Sequence, residues 1–218
     1  ARNMGNLAWF AKAAGLKGLK IDPEEYSSAG QYRYKSCDAP SHAECAKLAR
    51  RRGREVFSAV FREYPDILIL SLWGFEIDVR YFTDRRQTDP VQISKDFGRM
   101  LPEFFNGMLD AMPPKARFQE GTENAYRYDY AKRDFLTAKT RNSNWYLPLI
   151  APENRVKYLT QVITGFGIYM DMYVNSENAT WYFPPVDGSR LEYLRRNIEQ
   201  ALSGTDEYVW LWGERGRW

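Results

Sequence analysis

The sequence predicts an α/β fold built from consecutive strand–helix units. Three observations carry the prediction. Short apolar runs of strand length recur about every 40 to 50 residues, the segments between them have helical periodicity, and the connections that follow the strands are much longer than those that precede them. Alternating strands and helices imply parallel strands joined by right-handed crossovers.

The predicted strands are Leu16 to Ile21, Ile67 to Trp73, Ala116 to Gln119, Phe166 to Met172 and Tyr208 to Trp212. The first helix runs from Leu7 to Ala14 and stops at Gly15, a residue suited to the left-handed position after a helix. The second spans about Ser41 to Tyr64, where Ala46, Ala49, Val56, Val60 and Phe61 can share a face and Pro65 ends the periodicity. On it, Arg50, Arg51, Arg52 and Arg54 read as a solvated face. The third covers about Val91 to Ala111 before Pro113-Pro114. Two stretches follow, near Tyr130 to Thr140 and Glu153 to Thr164, and a last helix covers Ser189 to Ser203 after Asp187-Gly188.

Connections entering the strands are two or three residues, whereas those leaving them (Pro23 to Pro40, Gly74 to Pro90, Tyr173 to Gly188) run to about twenty. Long loops on the strand-exit side are the pattern of a (β/α)8 TIM barrel. Five units cannot close that barrel, so the expectation is one domain over 1–218 holding strands four to eight of a larger barrel, completed by another segment or chain. The rival is a complete, open, doubly wound five-stranded sheet.

Composition narrows the function. The 31 Lys and Arg nearly balance the 28 Asp and Glu, leaving +3, with no basic stripe for nucleic acid. No apolar run is long enough to cross a membrane. One histidine, His42, in a polar loop-like stretch, argues against histidine-based catalysis or a multi-histidine metal site. Neither a metal nor a cofactor is expected. Cys37 and Cys45 suit a local disulfide if the compartment is oxidising, as in a secreted or periplasmic protein, and suit free thiols otherwise. The 7 Trp, 15 Tyr and 12 Phe exceed what a core of this size needs and leave rings for a binding cleft.

Every predicted strand is followed by acid: Asp22, Glu24 and Glu25; Glu76 and Asp78; Glu120 and Glu123; Asp171; Glu214. Glycoside hydrolysis needs two carboxyl groups held by different elements on either side of the sugar, and crowding raises the pKa of the one that must stay protonated. The candidate catalytic residues are therefore Asp22, Glu24, Glu120, Glu123 and Glu214, with Glu24 as acid/base, Glu123 as its partner and Asp22 tuning Glu24. Flat rings beside hydrogen-bonding groups suit pyranoses. Lys20, Tyr26, Trp73, Tyr126, Asp171, Asn175, Trp181 and Trp212 are the candidate substrate-binding residues, with Trp218 a further ring at a strand end. Arg215 and Arg217 either neutralise Glu214 or bind an acidic sugar.

The run Gly15-Leu16-Lys17-Gly18-Leu19-Lys20-Ile21-Asp22-Pro23-Glu24-Glu25-Tyr26 resembles the fourth strand of barrel glycosidases. Its Asp-x-Glu ending is similar to that of the chitinase family, which implies Glu24 as general acid after Asp22, although Lys17 and Lys20 stand where that family has further aspartates. Its Lys-x-Asp ending resembles the α-galactosidase-like clan, which implies Asp22 as nucleophile, Lys20 as a sugar-hydroxyl ligand and an acid/base from the strand carrying Glu120 and Glu123. The whole chain looks like uncharacterised bacterial barrel glycosidases. The expected activity is hydrolysis of a poly- or oligosaccharide. The alternatives are a non-catalytic carbohydrate-binding barrel and a sugar isomerase-type enzyme with carboxylate-held metal.

Overall fold

A computed structural model describes residues 1–24, 30, 32–75 and 98–214. Tyr26, Glu76, Asp78, Arg215, Arg217 and Trp218 lie outside the described residues.

Among the described residues, six strands and six α-helices follow one another in the order α1 (Arg2–Ala13), β1 (Gly18–Ile21), α2 (His42–Glu63), β2 (Leu68–Ser71), α3 (Leu101–Ala111), β3 (Arg117–Glu120), α4 (Asp134–Thr140), α5 (Arg155–Gln161), β4 (Val162–Thr164), β5 (Phe166–Tyr169), α6 (Arg190–Gly204) and β6 (Val209–Trp212). The first helix closes as expected. Gly15 sits at φ 70°, its N–H donates to the Lys12 carbonyl, and the Leu16 N–H reaches back to Ala11.

The four-stranded sheet has the order β1-β2-β3-β4 and the two-stranded sheet pairs β5 with β6; every pairing is parallel. Only Gly165 separates β4 from β5, and its N–H donates to the Glu120 carbonyl. A Cβ at that position would lie 2.8 Å from the Tyr208 backbone oxygen as well as 2.1 Å from Gln119 Nε2, so the changeover between sheets requires glycine. Strand order thus equals sequence order throughout. A doubly wound sheet reverses its order at a switch point, and the described strands contain no such reversal. Strands β1 and β6 meet through side chains on and just before them: Lys17 pairs with Glu207, and Lys20 Nζ lies 4.4 Å from the Trp210 ring centroid and 5.7 Å from that of Trp212.

Several predicted elements differ in their bounds; the first helix begins at Arg2 rather than Leu7. The third helix begins at Leu101, with Met100 as its N-cap and Pro102 in its first turn, where a missing N–H costs nothing; residues 91–97 lie outside the described set. The stretch predicted as helix to Thr164 ends at Gln161. Val162, Ile163 and Thr164 are all β-branched and form β4 against β3. The strand predicted to Met172 ends at Tyr169 and turns into a 3-10 helix over Met170–Tyr173.

Helices α1, α2 and α3 cover the first three strands around Phe57, Phe105 and Phe118, where Tyr158 of α5 and Val162 of β4 also pack, while α4 and α6 cover β5 and β6 around Phe135, Phe166 and Tyr193. Helices α2 and α3 cross closely because Gly53 and Gly107 face backbone. Cβ atoms there would lie 1.8 Å from the Phe104 oxygen and 1.9 Å from the Arg50 oxygen. Arg50 leaves the expected solvated face. It binds both carboxylate oxygens of Asp110, at 2.8 and 2.7 Å, and Glu153 at 2.6 Å, whereas Arg51, Arg52 and Arg54 are exposed. His42 is the first residue of α2, its ring 5.4 Å from that of Tyr34, rather than a loop residue. Cys37 and Cys45 form a disulfide that ties the connection after β1 to the first turn of α2.

Candidate active site

Among the described residues, Asp22, Glu24 and Glu123 converge, each offering a carboxylate oxygen within 4.8 Å of the other two. Asp22 stands one residue beyond β1, and its Oδ1 accepts the Glu24 N–H at 2.9 Å. That short turn puts both carboxyl groups on one side of the chain. Glu123 arrives from β3 through a tight path. The Gly121 N–H donates to the Ser71 carbonyl at 2.7 Å, the Glu123 N–H to Leu72 at 3.2 Å, and Thr122 between them is left-handed at φ 48°. A β-branched residue in that region is strained. Its hydroxyl accepts from Asn142 at 3.3 Å and it is fully buried, so packing holds the strain next to Glu123.

Glu123 has its pKa pushed up to about 7. Burial is the main cause, followed by the charges of Glu24 and Asp22, against the opposing pull of the Trp73 indole N–H and the Lys20 ammonium. Trp73 Nε1 and Glu123 Oε2 are buried without a hydrogen bond of good geometry, so the Trp73 effect is a near contact. Nδ2 of Asn124, the next residue, is likewise buried without a partner, and nothing in the sequence pattern marks this uncharged side chain out. The Lys20 ammonium has its pKa lowered, chiefly by burial, with Asp22 and Glu123 pulling it back up. Tyr126 packs beside the trio, and burial, then Glu123, raises its hydroxyl far above the usual phenol range.

A second acidic group lies across Tyr126. The Tyr126 and Tyr169 rings are 5.2 Å apart, and the Tyr169 hydroxyl is pushed up to about 12 by burial first and then by the charges of Glu214 and Asp171. Asp171 is 1% exposed and accepts the Glu214 N–H at 2.9 Å, so it anchors the turn after β6. Glu214 itself is exposed and outside the trio.

Glu120 has a different task from Glu123. The strand pleat turns it toward the helix layer, 2% exposed, where its Oε2 accepts the Phe75 N–H at 2.6 Å. A Cβ on Gly74 would lie 2.3 Å from that oxygen, so the chain after β2 is shaped around this carboxylate. Asn175 is buried and its Nδ2 donates to the Trp181 carbonyl at 2.9 Å, bracing its own loop. The Arg127 guanidinium lies 3.9 Å from the Trp181 centroid, and Trp181 makes edge contacts with Tyr126 and Tyr169, which leaves little of its ring for a sugar. Trp212 is 46% exposed and keeps surface for stacking.

The described site therefore consists of three carboxyl groups from two strand ends, one holding its proton near neutrality, with Lys20, Trp73, Asn124, Tyr126 and Trp212 around them. Asp22, Glu24 and Glu123 also offer the hard oxygen ligands that a divalent cation takes. Comparison of the chain with protein-family models, curated sequences and solved structures gives no match.

Proposed function

We propose that this protein is a glycoside hydrolase of poly- or oligosaccharides, with Glu123 as general acid/base and Asp22 or Glu24 as the ionised partner. The observation that carries the proposal is the approach of these carboxyl groups within 4.8 Å, one of them raised to about 7. The proton belongs on Glu123 rather than on Glu24, reversing the roles expected from sequence. Burial disfavours its anion more than any other cause, and its two neighbours repel it further.

Carboxylate oxygens within 4.8 Å of one another lie nearer the roughly 5–5.5 Å separation of retaining enzymes than the roughly 6.5–9.5 Å of inverting ones, which supports a retaining mechanism in which the ionised partner attacks the anomeric carbon. The strand order and the facing of β1 and β6 support a (β/α)8 barrel of which this chain carries consecutive units. The Cys37–Cys45 disulfide supports an oxidising, secreted or periplasmic location, since cytosolic thiols are kept reduced.

Glu123→Gln should lower kcat on an aryl glycoside by about a thousandfold or more, and Asp22→Asn or Glu24→Gln should do so for whichever is the nucleophile. Proton NMR of the first-formed product should show retained anomeric configuration. Full activity in all three variants sinks the proposal. The ligand-like spacing of the same oxygens favours one second reading, a metal-dependent sugar isomerase-type enzyme, which predicts activity lost on chelation and restored by a divalent cation.

A further inference from the structure

Beside the carboxylate trio lies a cavity of about 640 Å³, bounded by the end of β1, by α2 and α3 and by the connection that the disulfide ties down. Its walls include Ile21, Val56, Phe57, Met100, Phe104 and Phe105. Among the described residues of the lining, Asp22, Tyr32, Arg33 and Arg52 are polar and the others apolar. The volume falls within the range of small-molecule sites. An apolar space of this size releases poorly bonded water when an apolar group enters it, and left dry it would weaken the fold severely.

Asp22 belongs to both features. Its carboxylate is one of the three that converge, and it lines the cavity together with Pro23. With Glu24 as the attacking carboxylate and Glu123 protonating the glycosidic oxygen, Asp22 is left to mark the path of the leaving group, and it is the one of the three that lines the cavity. Sugar subsites carry convergent hydrogen-bonding groups beside a flat ring, whereas here the rings of Tyr32, Phe57, Phe104 and Phe105 pack on one another and enclose an apolar space. We infer that the cavity is an aglycone site and that the substrates are glycosides of an alkyl or aryl group rather than sugar-only chains. This inference rests on the hydrolase proposal and deepens it by naming the substrate class.

The test uses the full chain and two measurements. Calorimetry compares octyl β-D-glucoside, below its micelle concentration, with methyl β-D-glucoside. The octyl probe should bind at least about tenfold more tightly, in wild type and in Glu123→Gln alike, because the alkyl chain supplies the difference. Ala49→Phe places a ring in the cavity, and Leu48→Ser removes apolar surface at an exposed wall residue without touching the core. Each should cut the octyl advantage, Ala49→Phe by about tenfold. Equal affinity for the two probes, or an advantage unmoved by both variants, overturns the inference. The second measurement follows hydrolysis of methyl, butyl and octyl glycosides over a panel of sugars, with kcat/KM expected to climb with chain length. Hydrolysis that needs Glu123 but ignores chain length removes the aglycone site and leaves the hydrolase standing. Octyl binding in the cavity with no Glu123-dependent hydrolysis of any glycoside removes the hydrolase, and the aglycone assignment with it.

Discussion

Glu123 couples the chemistry of the site to pH. Its folded pKa of about 7 lies above the ordinary 4.5, so the native state holds a proton that the unfolded chain has released. The stability carried by the protonated form is fully present below about pH 4.5 and is lost as pH rises through 7. Because the carboxyl group keeps some contact with solvent, the loss should be on the order of 1–2 kcal/mol. Thermal melts of wild type and Glu123→Gln from pH 4 to pH 8 should therefore cross over, the glutamine variant becoming the more stable one above neutrality. The activity of wild type should fall along an alkaline limb near pH 7, since the acid is then ionised. A pH-independent difference between the two melts would mean that Glu123 is not the perturbed group. At this scale the sequence was informative where acid follows a strand and uninformative about direction. Asp22, Glu24 and Glu123 were legible, but Glu120 looked equivalent to Glu123 until the pleat turned it to the helix side. Thr122 gave no signal, because a β-branched residue argues against the left-handed backbone it adopts.

The pairing of α2 with α3 shows what an element needs from single residues. Both helices were legible from periodicity, but the stripe that mates them depends on Gly53 and Gly107, which a hydrophobicity pattern scores as gaps. A methyl group at Gly53 would meet the Phe104 carbonyl at 1.8 Å, and backbone cannot step aside as a side chain can. Gly53→Ala should lower stability by about 2–4 kcal/mol, read from the denaturant midpoint, despite its better helix propensity. Gly5→Ala in α1 is the control. Its Cβ would sit 3.2 Å from the Ala59 oxygen, a strain that the gain in propensity offsets to within about 1 kcal/mol. Similar losses in both variants would mean that α2 and α3 do not cross this closely. The sequence also hid β4, because Val162 to Thr164 continue the helical pattern of α5 and only pairing with β3 reveals them as strand.

For the molecule as a whole, the consequence of sequential strand order is two parallel sheets whose first and last strands, β1 and β6, face one another across side chains rather than backbone. Strands β2 and β3 are hydrogen-bonded to neighbours on both sides, whereas β1 and β6 are each paired on one side among the described residues. The Lys20 ammonium over Trp210 and Trp212 and the exposed pair Lys17–Glu207 cannot replace a ladder, because they satisfy no backbone N–H or C=O group. Amide hydrogen exchange should separate the two classes. The central strands should exchange only through global unfolding, and the outward amides of β1 and β6 should exchange faster by about a hundredfold or more. Adding the remaining units of the proposed barrel, within a longer chain or as a second polypeptide, should then slow β1 and β6 to the rate of the centre. Full protection of both strands in this chain alone would show that their edges already pair with each other or with a second copy. An eight-stranded completion would then have no edge to join.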